Sequence, residues 1–195
     1  TKNPELYENV NIQGSKNLFD VACKNNIKNF IFSSSAAVYV NPTVIPIPEN
    51  HDKNPASPYG QSKYATEKYL SELRNDDSEI SFSCLRYFNA CGASLEGSMG
   101  ESHSPETHII PLAIKAARED KEFKMYGTDY KTDDGTNVRD YIHVLDLVDA
   151  HILALKKISS QKGEFIYNVG TGVGISNKQV VEQVMKSSGK EIKLI

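Results

Sequence analysis

Two tyrosine–lysine pairs occur within the stretch SPYGQSKYATEKYL, Ser57 to Leu70: Tyr59 with Lys63, and Tyr64 with Lys68. A tyrosine acts as a general base only as the phenolate, and its ordinary pKa of ~10 is too high for that at neutral pH. An ammonium one helical turn away favours the phenolate by charge proximity. Bringing the pKa to ~7 takes about 4 kcal/mol, more than one lysine is expected to supply, so a second cation must complete the effect. With ten tyrosines in the chain, the spacing alone recurs by chance, and placement has to decide.

Ser57 is a side-chain cap and Pro58 a first-turn residue, so a helix is expected to start there. At about 100° per residue, spacings of three and four keep residues on one face. From Tyr59 that face continues through Lys63, Thr66, Leu70 and Leu73; from Tyr64 it continues through Lys68, Ser71 and Asn75. The first face enters a core and the second is polar. The pattern therefore predicts Tyr59 and Lys63 as the inward, reactive pair, and Tyr64 and Lys68 as a solvated one.

The elements that must position this pair are legible in outline. The apolar run Phe30 to Phe32 in KNFIFSSSAAVY fits a buried parallel strand, as do ISFSCLRYFN and EFIYNVG. Helices are expected over about 6–25 (with Leu6, Val10, Gly14, Leu18, Val21 and Ala22 on one face), 108–120, 145–158 and 176–189, the last capped by Ser176 and stopped by Gly189. EFKMYG and NVRDYIHV read as strands, and 40–58, with five of the eight prolines, as a long functional loop. A second long polar loop spans 92–107. Helices alternating with short buried strands indicate an α/β fold, a partial Rossmann-type doubly wound parallel sheet. Ligands in such sheets bind at the carboxyl ends of the strands. Ser35 ends the first strand, where its hydroxyl could bridge a substrate hydroxyl and the phenolate. An oxidised nicotinamide ring suits the role of second cation, with the phenolate taking a proton from a sugar hydroxyl as hydride leaves the same carbon.

Other chemistry finds less support. The net charge is −3, from 22 basic and 25 acidic residues, so no global field favours nucleic acid or an anionic membrane. No apolar run approaches the ~18 residues of a membrane span. Cys23, Cys84 and Cys91 form no even disulfide set and no Cys-x-x-Cys clip, and read as free thiols in a reducing compartment. The five histidines lack a His-Glu-x-x-His motif, and no metal site is expected. Asp129, Asp133 and Asp134 do not make a calcium loop, because Lys131 replaces a ligand and Asp134 the sharp-turn glycine. GTGVG, Gly170 to Gly174, lacks the last glycine of a phosphate-binding turn, since Ile175 stands there, and reads as a tight strand-to-helix turn. Arg139 is either a surface ion-pair residue beside Asp140 or a guanidinium for a diphosphate.

Taken in order, FIFSSSAAVY, SPYGQSKYATEKYL, LRYFNACGAS, PETHIIPLAI, YGTDYKTDDGTNVRDYIHVLDLVDAH and YNVGTGVGIS resemble the UDP-glucose 4-epimerase family of extended short-chain dehydrogenase/reductases across essentially the whole chain. The resemblance implies NAD-dependent epimerisation at C4 of UDP-glucose and UDP-galactose through a 4-keto intermediate. It implies Tyr59 as catalytic base, Lys63 as its ribose-binding partner and Ser35 as catalytic serine. Asn11, Ser33 and Tyr87 join Tyr59 and Lys63 in the cofactor site it implies. Asn89 and Arg139 match residues on the substrate diphosphate, and Tyr126 lies in the segment along the uridine. It further implies a UDP-hexose as substrate, a cytoplasmic setting and a homodimer for the full-length family.

By this resemblance, residues 1–90 are the latter part of an NAD-binding Rossmann domain. Residues 91–195 are a substrate-binding region interleaved with the last Rossmann helix (145–158) and strand (165–169). The family's N-terminal Gly-x-x-Gly-x-x-Gly turn and its C-terminal end have no counterpart here, so the chain is expected to be a fragment and inactive alone. Val40 and Val10 stand where the family has glycine and asparagine. The alternatives are another NAD-dependent nucleotide-sugar epimerase or a catalytically inactive remnant. A 4,6-dehydratase is disfavoured because Ala36 and Ala37 replace the Asp-Glu pair that such enzymes carry after the strand.

Overall fold

The computed structural model describes residues 3–40 and 42–195; Asn41, in the predicted proline-rich loop, lies outside them. The chain divides into two compact units, one of Thr1–Phe88 with Asp146–Val169 and one of Asn89–Leu145 with Gly170–Ile195.

The first unit is built on a parallel sheet of β1 (Asn29–Ser35), β2 (Ser81–Tyr87) and β5 (Glu164–Val169), in the order β1-β2-β5. Six of the seven β2 residues are buried, as expected for a central parallel strand covered on both faces. The register sets Ser35 opposite Tyr87, and Tyr87 opposite Val169, so the strands end level. Helix α3 (Pro58–Asp76) begins as its sequence dictates: Ser57 Oγ accepts the Gly60 N–H at 3.0 Å and Pro58 opens the first turn. It buries Ser62, Thr66, Glu67 and Leu70. The core joins Phe19, Phe30, Leu70, Ile80, Phe82 and Cys84. Helix α5 (Val144–Ser160) contributes to this unit from Asp146 onward.

The predicted helix over 6–25 exists but is not uniform. It runs as α1 (Pro4–Leu6), a π-helical stretch Tyr7–Gln13 and α2 (Gly14–Lys24). The expected buried face is wrong. Leu6, Val10, Leu18 and Val21 are all more than half exposed, and the helix packs instead through Phe19, with Ala22 and Cys23 beside it. The wider π turns break the 3.6-residue spacing on which the expected stripe rested. Phe19 then meets Phe30 edge to face at 5.2 Å between ring centroids.

The second unit holds a mixed sheet, β3 (Asn89–Cys91), β4 (Val138–His143) and β6 (Gly174–Ser176), in the order β3-β4-β6. β3 pairs parallel with β4, and β6 antiparallel to it. Helices α4 (Ile109–Glu119) and α6 (Asn177–Ser188) enclose a core of Ala113, Ala116, Ala117, Phe123, Val181 and Ile192. Ser176 and Gln179 form a reciprocal capping box, and Gly189 ends α6 in the left-handed conformation. EFKMYG is not a strand. It makes only an isolated parallel bridge from Phe123 to Leu194, with backbone hydrogen bonds from Phe123 to Lys193, Ile195 to Phe123 and Met125 to Ile195, too short a pairing for a strand. β6 was not foreseen, being too short for any periodicity. Among the described residues, no helix is long and apolar enough to cross a membrane, and all three cysteines are free.

Candidate active site

Tyr59, Lys63, Ser35, Ser33, Tyr87 and Asn11 all belong to the first unit, and their contacts converge on the carboxyl end of β1. Lys63 Nζ donates to the Ser33 carbonyl at 2.8 Å. The same ammonium lies 5.0 Å from the Phe32 ring centroid and 5.6 Å from that of Tyr59. Ser35 caps the short 3₁₀ turn Ala36–Val38, its Oγ accepting the Ala37 N–H at 3.1 Å. That leaves the Ser35 hydroxyl proton free to point at Tyr59. Tyr7 meets the Tyr59 ring edge-on at 6.3 Å. Asn11, in the π-helical stretch, donates from Nδ2 to Ser62 Oγ at 3.1 Å, so its side chain ties that stretch to α3 beside Lys63.

The electrostatics correct one expectation. The Tyr59 phenol is raised above its ordinary value, first by burial, with a hydrogen bond to Ser35 working the other way and Tyr87 and Tyr7 adding to the rise. Lys63 is not among these influences. Its own pKa is lowered by burial. The ammonium lies beside the ring face rather than at the phenol oxygen, and its resolved bond goes to a backbone carbonyl. The protein by itself therefore holds Tyr59 protonated, and the demand for a second cation is greater than the sequence implied.

Of the outward pair, Lys68 is exposed as the face calculation expects, but Tyr64 is half-buried, as Tyr59 is, and the Lys68 ammonium lies 5.0 Å from its ring centroid. The sequence reasoning missed what lies behind the inward pair. Arg86, fully buried in β2, donates to Glu67 Oε2 at 2.6 Å and Oε1 at 2.9 Å. Ser34 Oγ donates to the same carboxylate at 2.5 Å. Arg86 also reaches Tyr39 Oη at 2.8 Å and the Glu49 carbonyl at 2.9 Å, so one cation ties α3, β1, β2 and the proline-rich loop together. The signal was present: an arginine inside a strand buried on both faces requires a buried carboxylate. Also unforeseen was His151 of α5. Its Nδ1 lies 2.8 Å from the Leu147 carbonyl and must donate to it, which leaves Nε2 to accept from Ser33 Oγ at 3.1 Å. Ser33 thus meets the site through its carbonyl, its hydroxyl being committed to His151.

Asn89, Tyr126 and Arg139 lie in the second unit. Asn89 Nδ2 donates to the Asp140 carbonyl at 2.8 Å across β3 and β4. Arg139 is exposed and donates to Asn137 Oδ1 at 2.6 Å and the Val138 carbonyl at 2.9 Å. It forms no ion pair with Asp140. That carboxylate instead accepts Thr171 N–H at 2.9 Å, Thr171 Oγ1 at 2.8 Å and Gly172 N–H at 2.8 Å. The GTGVG turn therefore spends its donors on the protein's own anion, with Gly172 at φ +74°. Tyr126 is 74% exposed, with the Lys124 ammonium 5.1 Å from its ring centroid.

The UDP-glucose 4-epimerase of Lactobacillus helveticus is 44% identical over 192 residues, covering 98% of this chain and 58% of the relative. That of Homo sapiens is 41% identical over 192 residues, covering 97% and 55%. A crystal structure of UDP-glucose 4-epimerase from Brucella ovis in complex with NAD superposes with a TM-score of 0.94 at 39% identity, over 100% of this chain and 60% of that one. The enzyme from Bifidobacterium longum in complex with NAD+ and UDP gives 0.91 at 39% identity, over 98% and 57%. The chain thus spans under two thirds of the length of the proteins it matches. The model of the NAD dependent epimerase/dehydratase family matches residues 1–170, a span that contains the Tyr59–Lys63 helix, both long loops and all three strands of the parallel sheet, and the chain belongs to that family.

Proposed function

We propose that this chain is the part of an NAD-dependent UDP-hexose 4-epimerase that carries its proton-transfer residues, acting on UDP-glucose and UDP-galactose. The observation that carries the reading is the convergence of Tyr59, Lys63 and Ser35 at the carboxyl end of a parallel strand. The donor set suits the cofactor: half-buried Lys63 has three N–H donors, and one is engaged among the described residues. The other two fit ribose hydroxyls. The relatives named UDP-glucose 4-epimerase supply the substrate class.

In this mechanism Tyr59 takes the proton of the sugar 4-hydroxyl and later returns it. Ser35 donates to the oxygen that loses the proton and keeps it aligned with the phenol. Lys63 fixes the cofactor ribose. Bound NAD would supply the hydride acceptor at C4, the hydride donor on return, and the cationic ring. Burial of Tyr59 keeps the base protonated until that charge is in place. In the second unit we assign Asn89 and Arg139 to the diphosphate and Tyr126 to the uridine. The exposed Arg139 guanidinium, which has no carboxylate partner among the described residues, supports this. We place the protein in the cytoplasm, in keeping with its free thiols, and expect the full-length form to be a homodimer.

The test is conversion of UDP-galactose to UDP-glucose by the full-length gene product carrying NAD. Turnover supports the reading. Binding of UDP-sugar and NAD without turnover points to a catalytically inactive remnant.

A further inference from the structure

We propose that Glu101, His103, Glu106 and His108 form a binding site for one divalent transition-metal ion of the zinc type, independent of the epimerase reading. The four stand in a Glu-x-His-x-x-Glu-x-His spacing, which a search for His-Glu-x-x-His does not find. All four belong to the second unit, in the segment before α4.

The four side chains converge on one point, with both imidazoles turning Nδ1 to the Glu101 carboxylate. One ligand atom from each residue lies within 4.8 Å of all the others. His103 Nδ1 is 3.1 Å from Glu101 Oε1 and 3.8 Å from Glu106 Oε2. His108 Nδ1 contacts Glu101 Oε1 and lies 3.8 Å from Glu106 Oε1. Separations of 3.8 Å are too long for hydrogen bonds. Ligands about 2.0–2.1 Å from zinc at tetrahedral angles stand about 3.3–3.4 Å apart; the 3.1 and 3.8 Å separations lie within about 0.5 Å of that value, and the closer Glu101–His108 pair would open on coordination. The two rings are nearly perpendicular, at 84°, so their nitrogens approach a common point without stacking.

The donors select the ion. Imidazole nitrogen favours zinc, cobalt, nickel or copper over magnesium or calcium. Two carboxylates neutralise a divalent charge, so the ion would not oppose the positive end of α4, which starts at the next residue. The Glu106 carboxylate is already oriented, because its Oε1 accepts the backbone N–H of Thr107 at 2.7 Å and of His108 at 2.9 Å. Such outer bonds fix a ligand's direction before the ion arrives. His108, at the N-cap of α4, makes no side-chain capping bond, so coordination would cost the helix nothing. Both imidazoles are mostly exposed, which gives an ion access. The expected role is structural, closing the segment 92–108 onto the start of α4.

The test is calorimetric titration of the chelator-treated 195-residue chain with Zn²⁺ alone, with Mg²⁺ as comparison. One equivalent of Zn²⁺ should bind, far more tightly than Mg²⁺. His103→Gln and His108→Gln should each weaken binding by at least about tenfold, and Cys23→Ser with Cys91→Ser should leave it unchanged. Because both histidines are exposed, these variants should keep the parent circular dichroism spectrum. With Co²⁺, the visible absorption band should shift in His103→Gln. The proposal is overturned by no saturable Zn²⁺ binding, by equal affinity for Mg²⁺, by binding unchanged in both histidine variants, or by binding that follows the cysteines.

Discussion

Lys63 Nζ donates to the carbonyl of Ser33 at 2.8 Å, and this bond joins α3 to the strand end that carries Ser35. The lysine is held by the sheet and not by the tyrosine. Its effect on Tyr59 is therefore positional, and its remaining donors are available to a ligand. In the full-length gene product, Lys63→Met should weaken NAD binding by about 1.5–3 kcal/mol, the range for hydrogen bonds to charged groups. Titration by fluorescence checks this, and an unchanged affinity would leave Lys63 with no role beyond packing.

The buried pair of Glu67 and Arg86 gives a stability prediction. Removing one partner of such a pair typically costs about 3–5 kcal/mol, because a buried charge is left uncompensated. Glu67→Ala should lower the urea midpoint accordingly. The double variant Glu67→Leu with Arg86→Met should recover much of the loss. A double variant no more stable than Glu67→Ala would mean that Arg86 acts mainly through Tyr39 and Glu49.

Asp134 in the second unit is held below its ordinary value of 3.8 by the hydrogen bond from Ser176, then by those from the side chain and backbone of Thr136. A depressed carboxyl stabilises the fold fully above its unfolded value, and that contribution is lost as pH falls through the lower folded value. Urea midpoints should therefore fall as the pH drops below about 4. Asp134→Asn should lower the midpoint above pH 6, where the carboxylate contributes in full, and flatten the slope below about pH 4. An identical slope in the variant would assign the acid sensitivity to other carboxylates.

Arg139 projects from β4 and has no acidic partner among the described residues. As a diphosphate ligand, its replacement by alanine should weaken UDP binding to the full-length gene product by about 1.5–3 kcal/mol and leave the unfolding midpoint unchanged. Calorimetry with UDP alone separates the two. Lost stability with unchanged affinity would return Arg139 to a local structural role.

The sequence carried the three parallel strands, β4, the Ser57 and Ser176 caps and the exposure of Lys68, because each rests on local periodicity or capping chemistry. It did not carry the burial of the first helix, since a π-helical stretch has no sequence mark that shifts the expected stripe. Nor did it carry the Glu67–Arg86 network or the Ser33–His151 bond, whose partners lie 19 and 118 residues apart and meet only through the sheet order. The expected pull of Lys63 on Tyr59 failed for a similar reason. One turn of helix puts the two residues on one face, but a carbonyl on β1 captures the ammonium.

The central claim is that Tyr59, and not Tyr64, moves the proton at the sugar 4-hydroxyl. The most direct measurement is kcat for UDP-galactose in the full-length gene product bearing Tyr59→Phe or Tyr64→Phe. The account predicts a loss of at least about 10²-fold for Tyr59→Phe, the lower range of general-base effects, and a nearly unchanged rate for Tyr64→Phe. Equal losses in the two variants, or an unchanged rate in Tyr59→Phe, would contradict it.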